Sequence, residues 1–299
     1  MRLVIVGSVA IDDIETPSGR RENSMGGSAI YASIAAAKFT QVGIVGVIGE
    51  DYPEETCFLL ENYGIDLKGL EKVKGKTFRW KGKYNDLNRA ETLDTQLNVF
   101  ADFVPKLPKI YKTTKYLFLG NIHPQLQMDV IKEAPNAEII SCDTMNYWIQ
   151  STPELLKEVI QKVNILFINE DEIKLLTGKN NVFDAADDVL EWGPDYVIVK
   201  RGEYGAFAYS KSFLFFVPIY VIRNVFDPTG AGDSFAGGFM GYISKMGKFN
   251  PDTIKQAMLY GTITASFNIE SFSFDKLEEA TLREIEERVE KLKMTMGNG

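Results

Sequence analysis

Short, nearly unbroken apolar runs recur along this chain with helix-like segments between them, and that alternation constrains the fold more than any other feature. Residues 3–11 (LVIVGSVAI) have the composition of a strand buried on both faces of a parallel sheet. A loop-like stretch, PSGRRENSMGG at 17–27, follows; the small and apolar residues of 29–39 suit a packed helix, and 42–49 (VGIVGVIG) a second buried strand. Strands at 116–119, 138–141, 164–168 and 196–199 continue the pattern, with helices near 124–133 and at 153–162, the latter capped by Ser151 or Thr152 and opened by Pro153. Strands alternating with helices imply a three-layer α/β/α arrangement around a mostly parallel central sheet. The last helix, 281–293, carries Leu282, Ile285, Val289 and Leu292 on one stripe and is expected to cap the fold without taking part in chemistry.

Residues 66–103 break this rhythm with β-type alternation, clearest in TFRWKGKY at 77–84. Phe78, Trp80 and Tyr84 share one parity, and Arg79, Lys81 and Lys83 the other. The expected organisation is a main α/β domain of residues 1–65 and 104–299 carrying a small β-rich insertion at 66–103. Its aromatic side needs cover, under the insertion itself or against the insertion of a second copy in a homodimer. Its cationic side faces either solvent or an anionic substrate, with Arg79 the candidate contact.

Several function classes are excluded by what the chain lacks. With 33 basic against 41 acidic side chains, a net charge of −8 and no basic stretch, it is not built to displace counterions from nucleic acid. Nowhere do 18 apolar residues run together, so no membrane span is expected, and two distant cysteines, Cys57 and Cys142, suit a reducing, cytoplasmic setting. One histidine, His123, cannot assemble a zinc cluster. GKT at 75–77 imitates a P-loop, but Leu70 stands where the first glycine belongs and a β segment follows instead of a helix. No His-Arg-Asp protein-kinase loop is present, and Ser234 lacks the closing glycine of a nucleophile elbow. His123, Asp143 and Asn146 follow strands, at an edge where pocket residues collect, although packing or solvation would account for each.

The densest signal is VFDPTGAGDSFAGGFMGYI at 225–243, a Pro- and Gly-rich turn opening directly into a small-residue helix. Such a turn presents free N–H groups and the positive end of the helix dipole with no bulky side chain to block an anion. Asp233, at that position, is ill placed to bind phosphate and well placed to take a proton from a hydroxyl attacking a phosphoryl group held by those amides. A bare Gly-x-Gly-Asp could be an ordinary helix start; the extended string is more specific.

DPTGAGDSFAGGF (227–239) resembles the C-terminal signature of the PfkB, or ribokinase-like, carbohydrate kinases. GSVAID (7–12), MGGSAIYAS (25–33), NEDE (169–172) and KRGEYG (200–205) are similar to that family's other motifs in the same order, and the β insertion sits where the family carries a lid. The resemblance implies a ribokinase-like fold with Asp233 as catalytic base and Gly230, Ala231 and Gly232 as the anion hole. It implies Asp12, the Gly26/Gly27 pair and Ser28 at the acceptor, and Lys200, Gly202 and Gly205 along ATP. Asn169 and Glu172 would organise Mg²⁺ largely through water, and Asp227 matches an acidic position beside which the family often binds a monovalent cation such as K⁺. In GTITASFNIESFSF (261–274), Asn268 and the aromatics would frame the base of the nucleotide, a buried helix being the alternative. Where many members have GGKGAN this chain has GGSAIY, so Ser28 and Tyr31 replace a Lys and an Asn and the acceptor contacts differ from those for ribose or fructose 6-phosphate. The implied activity is ATP-dependent phosphorylation of a hydroxyl, a primary one, on a small carbohydrate, keto sugar acid or cyclitol. A nucleoside is the alternative acceptor and would require a flat apolar wall, to which Tyr31 or Trp80 could contribute. A non-catalytic ligand-binding member of the fold is the other alternative, and would be marked by a lost base or a broken anion hole.

Overall fold

A computed structural model describes residues 2–87 and 89–297. The chain opens with β1 (Leu3–Val6), β2 (Ala10–Thr16) and β3 (Gly19–Gly26), followed by a helix at Ser28–Ala37. Next come β4 (Val42–Ile48), β5 (Ile65–Lys72), β6 (Phe78–Asp86) and β7 (Arg89–Gln96). The strands β8 (Tyr116–Leu119), β9 (Ile139–Cys142), β10 (Ile165–Asn169) and β11 (Tyr196–Lys200) alternate with helices, and β12 (Ala206–Ser210) and β13 (Phe213–Val217) close the series. Nine strands form one sheet in the order β13-β12-β11-β10-β9-β8-β1-β4-β5, parallel from β11 to β5 and antiparallel at β12 and β13.

Alternation along the buried strands builds a core on each face. Leu3, Ile5, Phe118, Phe167 and Ile198 pack toward helices Ser28–Ala37, Ala231–Met246 and Pro251–Asn268, while Val4, Val6, Leu117, Leu166 and Val197 join Val130, Leu156, Ile173 and Val189 from the opposite helical layer. This is the three-layer α/β/α fold anticipated. Small residues bring two helices of the first layer close together: a Cβ on Gly237 would lie 2.2 Å from the Ala32 carbonyl oxygen, and one on Gly241 2.8 Å from the Ala36 Cα. That contact fixes the start of helix Ala231–Met246 beside the start of helix Ser28–Ala37.

A second sheet has four strands in the order β3-β2-β6-β7. Its composition differs from the sequence expectation at three places. The run 3–11 is not one strand: it breaks at Gly7–Val9, where Ser8 and Ser28 exchange hydrogen bonds (Ser8 N to Ser28 Oγ 3.1 Å, Ser28 N to Ser8 Oγ 3.0 Å), and continues as β2 in the other sheet. The stretch expected as a loop, 17–27, contains β3, a largely exposed edge strand whose polar side chains disguise it. Inside 66–103, β5 lies at the edge of the large sheet, so the small sheet draws on residues 10–26 as well as 78–96. Among the described residues no helix is long and apolar enough to cross a membrane.

Candidate active site

The turn before helix Ala231–Met246 is shaped by Gly230, which caps it in the left-handed region (φ 75°) and has the Tyr31 ring directly above it: a Cβ there would meet that ring at 2.3 Å. The amides of Gly230, Gly232 and Asp233 have no partner among the described residues, as expected of a first helical turn. Ala231 departs from the expectation, because its N–H donates to the Pro228 carbonyl at 3.1 Å and closes the turn instead of facing an anion. Burial pushes the carboxyl of Asp233, itself half-buried, up to about 7, with Asp143 adding to the rise and Lys200 opposing it.

Two struts hold this turn. Asp227 is fully buried, and its two carboxylate oxygens accept from the amides of Thr229 (2.8 Å) and Ser273 (3.2 Å). Asn268 is also fully buried: its amide donates to the Thr229 carbonyl at 2.7 Å and its oxygen accepts from Ser234 Oγ at 3.1 Å. Asn268 therefore takes the buried-helix alternative and does not frame a nucleotide base; both ends of its side chain brace the turn before helix Ala231–Met246.

Lys200 ends β11 with its ammonium next to Gly232, 3.1 Å from where a Cβ on that glycine would sit, and donates to Asp143 Oδ2 at 2.6 Å. Burial works against its charge, but Asp143 and Glu172 more than compensate and hold Lys200 above its ordinary range. The NEDE motif is a reciprocal cap: Asn169 Oδ1 accepts from the Glu172 amide (2.8 Å) and Glu172 Oε2 from the Asn169 amide (2.9 Å) at the start of helix Glu170–Thr177. Burial drives Glu172 up to about 7. Among the described residues no group of three acidic, His or Cys side chains could hold a metal directly. A hydrated Mg²⁺ nonetheless fits this corner, since Glu172 keeps one oxygen outside the cap and its buried carboxyl would gain from a nearby cation. Gly202 (φ 54°) and Gly205 (φ 82°) shape the turn from β11 to β12.

Asp12 is 3% exposed on β2, and its Oδ1 has no partner among the described residues. Burial, then the charges of Asp227, Asp13 and Asp233, push its carboxyl well above the usual range. Gly26 makes room for it, since a Cβ there would lie 2.3 Å from Asp12 Oδ2. Gly27 lies against the Ser8 carbonyl (2.4 Å from a Cβ) with φ 97°, at the N-terminus of helix Ser28–Ala37. Ser28 is turned inward to Ser8 and is not presented to an acceptor. Arg79 is likewise removed from the acceptor side: β2 and β6 pair without a break from Ala10–Phe78 to Glu15–Lys83, so Asp12, Trp80 and Tyr84 share one face and Arg79 takes the other. There it donates to Asn23 Oδ1 (3.0 Å) and pairs with Asp51 (3.1 Å).

The geometry also brings in residues that motif reasoning left aside. Asp143, at the carboxyl end of β9, is the partner of Lys200; the rule that α/β sheets bind ligands at strand carboxyl ends is the signal that points to it. Tyr84 accepts from Thr229 Oγ1 at 3.1 Å and so links the small sheet to the anion-binding turn. The Tyr31 hydroxyl is buried and has no partner among the described residues, with Asp227, Asp12, Tyr84 and Asp233 as its electrostatic neighbours. His123 does not join the site: its Nδ1 accepts from the Gln125 amide (3.1 Å) and caps helix Pro124–Glu133.

A cytidine kinase from Thermococcus kodakarensis is 32% identical over 250 residues, covering 81% of this chain and 88% of that protein. The crystal structure of the Methanocaldococcus jannaschii nucleoside kinase, an archaeal member of the ribokinase family, superposes with a TM-score of 0.79 at 23% identity over 97% of this chain and 99% of the other. That of aminoimidazole riboside kinase from Salmonella enterica, complexed with aminoimidazole riboside and an ATP analogue, gives 0.77 at 16% identity over 97% and 100%. The family model for pfkB family carbohydrate kinases matches residues 2–279; the chain belongs to that family and is a kinase.

Proposed function

We propose that this kinase transfers the γ-phosphoryl group of ATP to the primary hydroxyl of a nucleoside. The observation that carries the phosphoryl-transfer half is the pairing of two free amides, Gly230 and Gly232, with a carboxyl poised near neutrality, Asp233, opposite a buried acidic group, Asp12, whose Oδ1 awaits a donor. Asp12 and the Tyr31 hydroxyl hold acceptor hydroxyls. Asp233 takes the proton as the acceptor oxygen attacks the γ-phosphorus and the bond to the β-phosphate oxygen breaks, leaving ADP. The amides and the Lys200 ammonium meet the charge that develops on the transferring group. Mg²⁺, held through water by Glu172 when bound, would supply further neutralisation of the phosphates. Tyr84 and the rest of the four-stranded sheet act as the lid, excluding water that would hydrolyse ATP.

The sequence alone put a small carbohydrate first and a nucleoside second; similarity to a cytidine kinase over most of both chains reverses that order. The keto sugar acid loses its support, since Arg79, Lys81 and Lys83 share the face of the small sheet opposite to Asp12. A coupled ADP-release assay with Mg·ATP tests the reading against cytidine, uridine, adenosine, ribose, fructose, keto sugar acids and inositols. Turnover stimulated by a nucleoside well above every sugar is the expected result. Stimulation by a free sugar or cyclitol alone would overturn the nucleoside assignment and leave the kinase one intact.

A further inference from the structure

A nucleoside differs from a sugar by its flat base, and the face of the small sheet that carries Asp12 also carries the half-exposed ring of Trp80. Trp80 pairs directly with Asp12 across β2 and β6, and the unbroken register puts both side chains on the same face of the small sheet. Adjacent strands are about 4.8 Å apart, so the two side chains are next-door neighbours on that surface. The indole leans along its strand onto Gly82, where a Cβ would strike ring atoms at 2.0–2.6 Å. Glycine there lets the ring rest against backbone. Its Nε1–H donates to Thr92 Oγ1 at 3.1 Å, which fixes the orientation of the ring and satisfies its one polar atom. Tyr31, the other aromatic weighed for an apolar wall, is excluded: its ring is fully buried against Gly230 and Phe274, and only its hydroxyl has no partner.

We infer that Trp80 is the nucleobase platform of this kinase, a specificity residue that stacks the base while Asp12 and Tyr31 receive the ribose hydroxyls beside it. The inference rests on the nucleoside reading above and deepens it. Base–aromatic stacking favours any base with a π-face, so a preorganised aromatic face at the acceptor gains more from a nucleoside than from a free sugar. Discrimination thus falls between nucleosides and sugars more than among bases.

The test uses the full chain, with cytidine as the probe ligand. Cytidine without ATP should quench tryptophan emission of the wild type, and Trp80→Phe should abolish the quench although Trp148 and Trp192 remain. Trp80→Ala should raise the KM for cytidine by roughly 10- to 100-fold with little change in kcat or in the KM for ATP, and Trp80→Phe, which keeps a flat ring, should recover most of that loss. Inhibition by ribose, which has no base, should be the same in wild type and Trp80→Ala. An unchanged KM for cytidine in Trp80→Ala, a quench that survives in Trp80→Phe, or parallel loss of cytidine and ribose recognition would make Trp80 a packing residue and overturn the inference while the nucleoside reading stood. A wild type that phosphorylates sugars but no nucleoside would overturn both.

Discussion

The two sides of the cleft are built in opposite ways. On the proposed reading the phosphoryl-transfer side is mostly contiguous: residues 227–239 supply the turn, the free amides, the proposed base and the glycines that let their helix approach its neighbour, and Lys200 joins them from β11. The acceptor side is assembled from Asp12, Gly26, Tyr31, Trp80 and Tyr84, which lie on three strands and a helix and meet only through register. The first side combines backbone amides with the side chains of Asp233 and Lys200; the second is built from side chains, of which Asp12 and Tyr31 carry polar atoms without a partner among the described residues. A contiguous backbone device suits a group common to every reaction of this kind, and a register-built side-chain surface can be respecified one residue at a time.

If that division holds, substitutions on the transfer side should abolish turnover with any acceptor, and those on the acceptor side should alter KM. The largest effect belongs to Gly230→Ala, which puts a Cβ into the Tyr31 ring at φ 75° and displaces the anion-binding amides; kcat should fall by roughly 100-fold or more with every acceptor. Lys200→Met should lower kcat by roughly 100-fold, the scale of a lost charge-stabilising donor, and also lower Tm, because Asp143 is left buried without its partner. Adding Asp143→Asn should restore Tm and leave kcat low. Recovery of both would make the pair structural.

Tyr31→Phe deletes a hydroxyl that has no partner among the described residues, so the fold should be at least as stable, while the acceptor KM rises by roughly 5- to 10-fold and the KM for ATP stays constant. A change in the ATP KM instead would break the division between the two sides. The smallest effect is expected where the sides touch at the surface: Arg89 of the small sheet pairs with Asp171 at 2.8 Å, both largely exposed. Arg89→Ala should change kcat/KM by no more than about twofold at physiological salt, since exposed pairs contribute little and are screened.

The same contrast explains what the sequence disclosed. The Gly-rich turn opening a helix and the parallel strands are legible because each depends on neighbouring residues: an apolar run for a doubly buried strand, glycines before a small-residue helix. Polar Gly19–Gly26 looked like a loop because an exposed edge strand carries few apolar residues to mark it. Apolar character runs on through residues 3–11, and only the Ser8–Ser28 exchange, twenty positions apart, shows why the strand breaks. Asn268 and Arg79 were misassigned for a related reason. Burial of the first between Thr229 and Ser234, and the pairing of the second with Asp51, are long-range facts that no local spacing encodes. Parity did predict that Phe78, Trp80 and Tyr84 would share a face apart from the cations, and left open which face the cleft would use.

Asp233 is where the account is most exposed to test. Its buried carboxyl, raised to about 7 from an ordinary value near 4, favours the neutral form in the folded state; it is therefore a stabilising feature below the unfolded value that is lost as pH rises through 7. Asp233→Asn should accordingly gain Tm over wild type as pH goes from 5 to 8, an effect independent of catalysis. The direct measurement is single-turnover transfer from labelled ATP to cytidine by wild type and Asp233→Asn across pH 5–9, with ATP affinity measured in parallel. The account predicts a wild-type rate that rises about tenfold per pH unit up to about 7 and then levels, and an Asn variant that binds ATP normally but transfers roughly 10²- to 10⁴-fold more slowly with no such limb. Transfer by Asp233→Asn within about tenfold of wild type, or with the acid limb intact, would contradict it.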